Sequence, residues 1–255
     1  MGDKKVGLHG FQTGGFHRNP KSRSLWRDAI SGIDHFHASC VTDSWAEVDG
    51  VRLKVLGSVV DSIAAVGDDH NREMDEAGTN EGAWKEVYEI LDEPLALLEH
   101  SKIYNGDDEA AFRAILEAMT MGREQTQHPL DNFEEIYRTL WHELRRRYTE
   151  GLDFKSHTEE ELGFLLTLFL QQKQRIMRTL AFAQTHEGCL ALVPGDARRE
   201  DVIAVIHGCS VPFLIRNSGQ TQLFSVVGAC YVGGIMEGDV FDSHDAPCAA
   251  MITLI

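Results

Sequence analysis

The sequence predicts an α+β fold, a helical bundle packed on a small antiparallel β-barrel built from N- and C-terminal strands, and three observations predict it. Apolar side chains alternate with a period of two around residues 52–63 and again after Arg178, the periodicity of strands. Between Trp84 and Leu170 they recur at spacings of three and four, the periodicity of helices. With 43% hydrophobic and 25% charged residues in a chain of 255, there is apolar material for a real core and too little charge for a disordered polymer. The organisation read from these patterns is a flexible arm at 1–32 and a single α+β domain at 33–255. That domain divides into strands at 33–65, an acidic loop at 66–82, helices at 83–178 and a β-meander at 179–255.

Each element has a local reason. The arm is rich in Gly, His and basic groups and lacks periodicity. Two strands follow, Phe36 to Cys40 and Arg52 to Ile63, the second rich in β-branched residues and led by the Asp49-Gly50 turn. Residues 61–110 hold fifteen acidic against three basic groups, which accounts for −12 of the net charge of −16. Within them Val66 to Gly82 adds three glycines; a solvated loop is the simpler reading and a dock for a basic partner the functional one. Trp84, Val87, Tyr88, Leu91, Leu95 and Leu98 mark one face of a first helix, which Pro94 must kink or split. A second helix starts from the N-cap Asp107 and turns Phe112, Ile115, Leu116 and Met119 inward. The third runs from Asp131 to about Tyr148 and closes on Arg145, Arg146 and Arg147, cations set against the carbonyl end of the helix dipole. Thr158-Glu159-Glu160-Glu161 is a capping box that opens a fourth, central helix through Leu162 to Leu170.

After Arg178 short strands come at even spacing: Leu180 to Ala183, Cys189 to Val193, Val202 to Ile206, Val211 to Arg216, Leu223 to Val227 and Cys230 to Ile235. The turns Pro194-Gly195-Asp196, Gly208-Cys209-Ser210, Asn217-Ser218-Gly219 and Gly228-Ala229 separate them, as in a meander curled into a small barrel. Ala249 to Ile255 reads as one more strand, a candidate to pair with an N-terminal one.

Composition excludes some functions. A net charge of −16 opposes nucleic acid and acidic membrane surfaces. The opening Met1-Gly2-Asp3-Lys4-Lys5 carries no export signal, and the longest apolar stretch, Phe164 to Leu170, is far shorter than the ~20 residues of a membrane span. A soluble, cytoplasmic chain is expected, with no nucleic-acid or membrane partner. The five cysteines, Cys40, Cys189, Cys209, Cys230 and Cys248, form no Cys-x-x-Cys pair and read as reduced thiols. His35-x-His37 with Cys40 supplies zinc-ligand types, but no spacing elsewhere points to a fourth ligand. His207-Gly208-Cys209 could be half of a nucleophilic pair, yet neighbours on a turn rarely face each other. The glycines of Gly7-Leu8-His9-Gly10 and of Gly228 to Gly234 lack the setting of a phosphate loop. Glu237 and Asp239 read as exposed turn acids. No catalytic residue, cofactor or metal is expected.

The stretches Leu192-Val193-Pro194-Gly195-Asp196, Val202 to Gly208, Val211 to Arg216 and Val226 to Asp239 together resemble the C-terminal region of fungal heterokaryon incompatibility (HET-domain) proteins. Phe36-His37-Ala38-Ser39 and Leu53 to Ile63 resemble an upstream strand of that family, ending in Asp61-Ser62-Ile63. The resemblance marks Asp61, Pro194, Gly195, Asp196, Gly208, Pro212, Arg216, Gly228, Tyr231, Gly234, Met236, Gly238 and Asp239 as family-motif or contact positions. Gly195 and Gly228 suit turns of positive φ, Pro212 the start of an edge strand, and Tyr231 and Met236 the packing of a barrel. Arg216, a charge ending an apolar strand, is expected to form a structural salt bridge, with Asp196 as the candidate partner, or else to contact a ligand or partner.

Where the family often has an acid before the Tyr and a His before the last Gly, this chain has Ala229 with Cys230, and Gly233. The family's N-terminal HET domain has no counterpart, Leu25-Trp26-Arg27-Asp28 being too short a match to its Leu-Trp-Ile-Asp motif. The resemblance implies a non-enzymatic interaction or regulatory module of non-self recognition and programmed cell death, with a protein partner. The alternatives are a small-molecule-binding protein or enzyme, its pocket at the helix-barrel junction lined by His35, His37, Arg216 and Tyr231, and a fragment or degenerate paralogue without activity of its own.

Overall fold

The computed structural model describes residues 38–39, 44–67, 92–99, 101–120, 179–220, 222–241 and 246–255, together with the single positions 138, 142, 146 and 150. Nine strands dominate them: β1 (Ala46–Asp49), β2 (Arg52–Val66), β3 (Leu180–Thr185), β4 (Leu190–Pro194), β5 (Val202–Ile206), β6 (Phe213–Asn217), β7 (Leu223–Ala229), β8 (Tyr231–Val232) and β9 (Ala250–Leu254). Their helical content is a stretch at 92–98, the Asp108–Thr120 helix, the four single positions and the 3-10 turn Asp239–Phe241. The expected class, an α+β helical bundle packed on a small antiparallel barrel, is therefore overturned. The described residues are richer in strand than in helix, and their curled sheet is mixed, because β7 and β9 run parallel. The reason is physical: a helix announces itself in local 3.6-residue periodicity, whereas a sheet is assembled from residues far apart and its share is underweighted in a linear reading.

β2 organises the sheet. Its first half pairs with β1 and β9, its middle with β5 and its last residues with β3. Through β5, β6, β7 and β9 the pairing returns to β2, closing a five-stranded ring, while β3, β4 and β8 extend from the far end of β2. A 15-residue strand can serve two sheets because it carries register shifts between Val59 and Asp61 and between Ile63 and Ala65, and bulges bend a strand. At Gly57, which faces both Ala250 of β9 and Ile206 of β5, an added Cβ would lie 2.9 Å from the Val205 carbonyl oxygen. Only glycine allows three backbones to come together there.

Two cores flank β5. Inside the ring lie Leu53, Val55, Ala204, Ile206, Ile215, Ile252 and Leu254. On the other face Ile203, Val205 and Leu214 pack with Ala183, Ala191, Val193 and Val232 of the β3–β4–β8 layer. The unbroken apolar run Val202 to Ile206 follows, since a strand covered on both faces has no solvent side to be polar.

The remaining elements can be placed against the sequence. Ala38 and Ser39 form a turn rather than a strand; Phe36, His37 and Cys40 lie outside the described residues, as do the arm and most of the acidic loop, of which Val66 ends β2 and Gly67 follows it. Pro94 is buried within the helical stretch at 92–98. Asp107 caps the Asp108–Thr120 helix, its Oδ1 accepting from the amides of Glu109 and Ala110 at 3.0 and 3.1 Å, and Phe112, Ile115 and Met119 are buried. Positions 146 and 150 are each helical, and Arg146 pairs with Glu150 at 3.3 Å; Arg145 and Arg147 lie outside the described residues. The fourth expected helix lies outside the described residues. Ser101 joins this region to the β3–β4 turn, its hydroxyl donating to the Gly188 carbonyl at 2.8 Å. Among the described residues no helix is long and apolar enough to cross a membrane.

Candidate functional site

Three of the family-motif positions gather near one end of the β5–β6 ladder: Asp196 and Arg216 meet there, and Asp61 faces Ile203 of β5. Since Val202 faces Ile215 in antiparallel register, the residues one step outward, Asp201 and Arg216, stand opposite each other. Arg216 donates from Nε to Asp201 Oδ1 and from Nη2 to Asp201 Oδ2, both at 2.7 Å, and from Nη2 to the Asp196 carbonyl oxygen at 2.8 Å. Asp201 is 3% exposed and Arg216 27%. The Arg198 amide adds a third bond to the carboxylate at 2.8 Å, so both oxygens of a buried acid are satisfied. That hydrogen bonding to Asp201 holds the Arg216 pKa above its ordinary value, against the opposing pull of burial. The salt bridge expected of Arg216 exists, but its carboxylate is Asp201 and not Asp196, which contributes its main-chain oxygen. The physical reason is register: a cross-strand neighbour presents its side chain alongside, whereas the turn residue presents its backbone.

The loop between β4 and β5 that carries both groups is stitched to the β2 bulge. The Ile63 carbonyl accepts from Glu200 at 2.8 Å and the Ile63 amide donates to the Asp201 carbonyl at 2.9 Å. To reach this position Glu200 adopts φ +67, a left-handed conformation costly for a residue with a Cβ. Its carboxylate meets His186 and Arg199, each at 3.3 Å. Nearby, Asp61 at the bulge accepts the Ser62 amide at 2.7 Å and the Glu187 amide at 3.4 Å. Its motif position is thus a backbone clamp between β2 and the β3–β4 turn.

The motif glycines divide differently from expectation. Gly208, Gly234 and Gly238 take positive φ, whereas Gly195 and Gly228 do not. Gly195 donates to the Thr179 carbonyl at 3.0 Å, and Gly228 sits in β7 opposite Leu214, where the β6–β7 register shifts; their small size serves a tight turn and a bulge. Pro194 ends β4 and is buried, and the Pro212 carbonyl accepts the Cys230 amide at 3.0 Å. Tyr231 and Met236 are 8% and 5% exposed, with Met236 Sδ accepting the Val232 amide at 3.5 Å. The expected strand Cys230 to Ile235 is only Tyr231–Val232, followed by turns and the 3-10 segment that Asp239 begins.

The chemistry-bearing candidates are spread apart or held in place. His35, His37 and Cys40 lie outside the described residues. The other members of the junction pocket, Arg216 and Tyr231, fall on β6 and β8, strands of the two different sheets. Burial pushes the Cys209 thiol up to about 11 and the Cys230 thiol higher still, the opposite of what a thiolate nucleophile needs. Sequence reasoning missed Asp201 and the stitch at Ile63; the only signal for Asp201 was its position immediately before β5, across from the residue that follows Ile215.

Residues 111–246, more than half of the chain, match the family model of the Het-6 beta-barrel domain. The matched span holds β3 to β8, with β2 and β9 lying outside it. No curated protein and no solved structure matches the chain.

Proposed function

Given that this chain belongs to the Het-6 beta-barrel domain family, and so has a role related to heterokaryon incompatibility, we propose that it works as a non-enzymatic interaction or regulatory module. In this reading it serves non-self recognition and the cell death that follows, in the cytoplasm, through a protein partner. The observation that carries the reading is the Arg216–Asp201 pair: the basic side chain of the family motif is spent on a buried carboxylate and holds the β4–β5 loop. Thiols kept neutral by burial support it in the same way.

The test is to express the chain in one of two otherwise compatible strains of a filamentous fungus and to score the survival of fused cells. Altered survival that persists with Cys209→Ala and Cys230→Ala is the expected result. Loss of the effect in those variants while they remain folded would point to thiol chemistry and overturn the non-enzymatic reading. Unchanged survival with the wild-type chain would remove the module from incompatibility altogether.

A further inference from the structure

We propose that the open edge of β1 is a docking site for an extended, basic segment of a partner protein, which adds to the sheet as a further strand. The inference rests on the interaction reading above and gives it a surface.

Backbone alternation decides which groups of β1 are free. The Leu56 amide donates to the Trp45 carbonyl at 3.3 Å, and the Leu56 carbonyl accepts from His207, so the main-chain groups of Leu56 point toward β1 and β5. With successive residues pointing to opposite edges and Ala46 facing Val55, Glu47 facing Lys54, Val48 facing Leu53 and Asp49 facing Arg52, Glu47 and Asp49 bond β2. Ala46 and Val48 then aim their N–H and C=O groups away from it. Among the described residues β1 pairs with β2 alone, and no backbone bond engages Ala46 or Val48 on the outer side. An edge of this kind is a template for another strand, and proteins usually blunt it with short length, charge, proline or a bulge. β1 has no lysine, proline or bulge; it is four residues long and its two charges are both acidic, so what it repels is a like-charged strand and what it admits is a basic one.

The side chains around the edge state what would fit. Val48 is 71% exposed although it shares a face with the buried Leu53, and Trp45 and Val51 flank it at 45% and 90%. The charges that β1 carries are Glu47 and Asp49, both exposed and both on the face opposite Val48. Lys54 meets Glu47 at 3.3 Å in an exposed pair, which leaves the carboxylate reachable. An added strand gains most with basic residues beside Glu47 and Asp49 and an aliphatic residue beside Val48, and a chain of net charge −16 steers basic segments toward itself. A second copy of the chain fits less well. Antiparallel self-pairing that uses both free residues sets Ala46 against Val48, and it places Glu47 directly against its own counterpart, like charge on like charge.

The test uses the full chain and a fluorescent, capped heptapeptide of alternating lysine and valine, with the glutamate-valine heptapeptide as control, read by anisotropy. The lysine peptide should bind at least ten-fold tighter than the control. Val48→Pro should weaken it at least ten-fold with an unchanged melting temperature, because the amide it removes faces away from β2 and proline is tolerated at such an edge. Should proline disturb the hairpin, the double change Glu47→Lys and Asp49→Lys provides a second arm, with the preference expected to swap to the glutamate peptide. Equal binding of both peptides, or full binding by a folded Val48→Pro, overturns the proposal. So does a wild-type dimer in sedimentation that Val48→Pro dissociates, since the occupant is then a second copy. Survival of fused cells separates the two readings. An effect that Val48→Pro leaves intact overturns this edge while the incompatibility role stands; peptide binding without any wild-type effect on survival supports the edge and sinks that role.

Discussion

Replacing Arg216 with methionine removes two of the three hydrogen bonds on the Asp201 carboxylate, both at 2.7 Å, and leaves only the Arg198 amide. Asp201 is 3% exposed, so its charge stays buried and uncompensated, a situation that costs ~3–5 kcal/mol in buried pairs. Because Arg216 itself is 27% exposed, water can enter where the guanidinium stood, and the lower end, about 3 kcal/mol, is expected. At about 2–4 °C per kcal/mol for a chain of this size, the melting temperature should fall by about 6–12 °C. Thermal and urea unfolding followed by circular dichroism, on Arg216→Met and on the double variant Arg216→Met with Asp201→Leu, measures it. The double variant should recover most of the loss, since no unpaired charge remains. A drop below about 1 kcal/mol in the single variant would refute the reasoning and return Arg216 to the candidates for partner contact.

Other outcomes follow from local geometry. Gly208 has φ +82 and a Cβ there would come within 2.6 Å of Ser44 Cβ, whereas Gly234 has φ +79 and open space around it; Gly208→Ala should therefore cost about 2–5 kcal/mol and Gly234→Ala about 1–2 kcal/mol by urea unfolding. At Glu200, φ +67, glycine should keep stability within about 1 kcal/mol while isoleucine should lose more than that, because relief from left-handed strain offsets the exposed pairs given up. The Cys209 thiol, raised from 9.0 to about 11, stays neutral in the folded chain while it ionises in the unfolded one, so stability is full below pH 9 and declines toward pH 11. Up to about 2–3 kcal/mol is at stake, and Cys209→Ala should flatten that decline in melts run from pH 8 to 11.

Strand periodicity made most of the sheet legible. Seven strands, β2 through β7 and β9, stand within a few residues of the runs that announce them: alternation marks a half-buried strand such as β2, and short apolar runs bounded by turns mark β4 and β5, which are buried on both faces. β1 was invisible: Ala46-Glu47-Val48-Asp49 is short and acidic, and only its pairing with residues 52–55 makes it a strand. β8 is shorter than its alternation suggests, because the glycines after Val232 lie in turns that alternation alone does not distinguish from strand. At the candidate site the arginine was legible and its partner was not, because the partner depends on register, which no single strand reveals. The left-handed glycines are illegible for a similar reason: Gly195 and Gly228 sit in turn-like sequence just as Gly208 and Gly234 do, and only the path of the chain gives the last two their positive φ.

The span of β2 across the sheet has a consequence during synthesis. Its first half pairs with residues 250–254, so that edge has no permanent neighbour until nearly two hundred further residues have left the ribosome, roughly 10–40 s at ordinary elongation rates. Throughout that interval Leu53 and Val55 are a nascent apolar ladder waiting for its complement. Products released early would carry it bare, natural clients for chaperones and degradation, and cellular abundance should be far more sensitive to truncations before residue 250 than to substitutions at the exposed ends of loops.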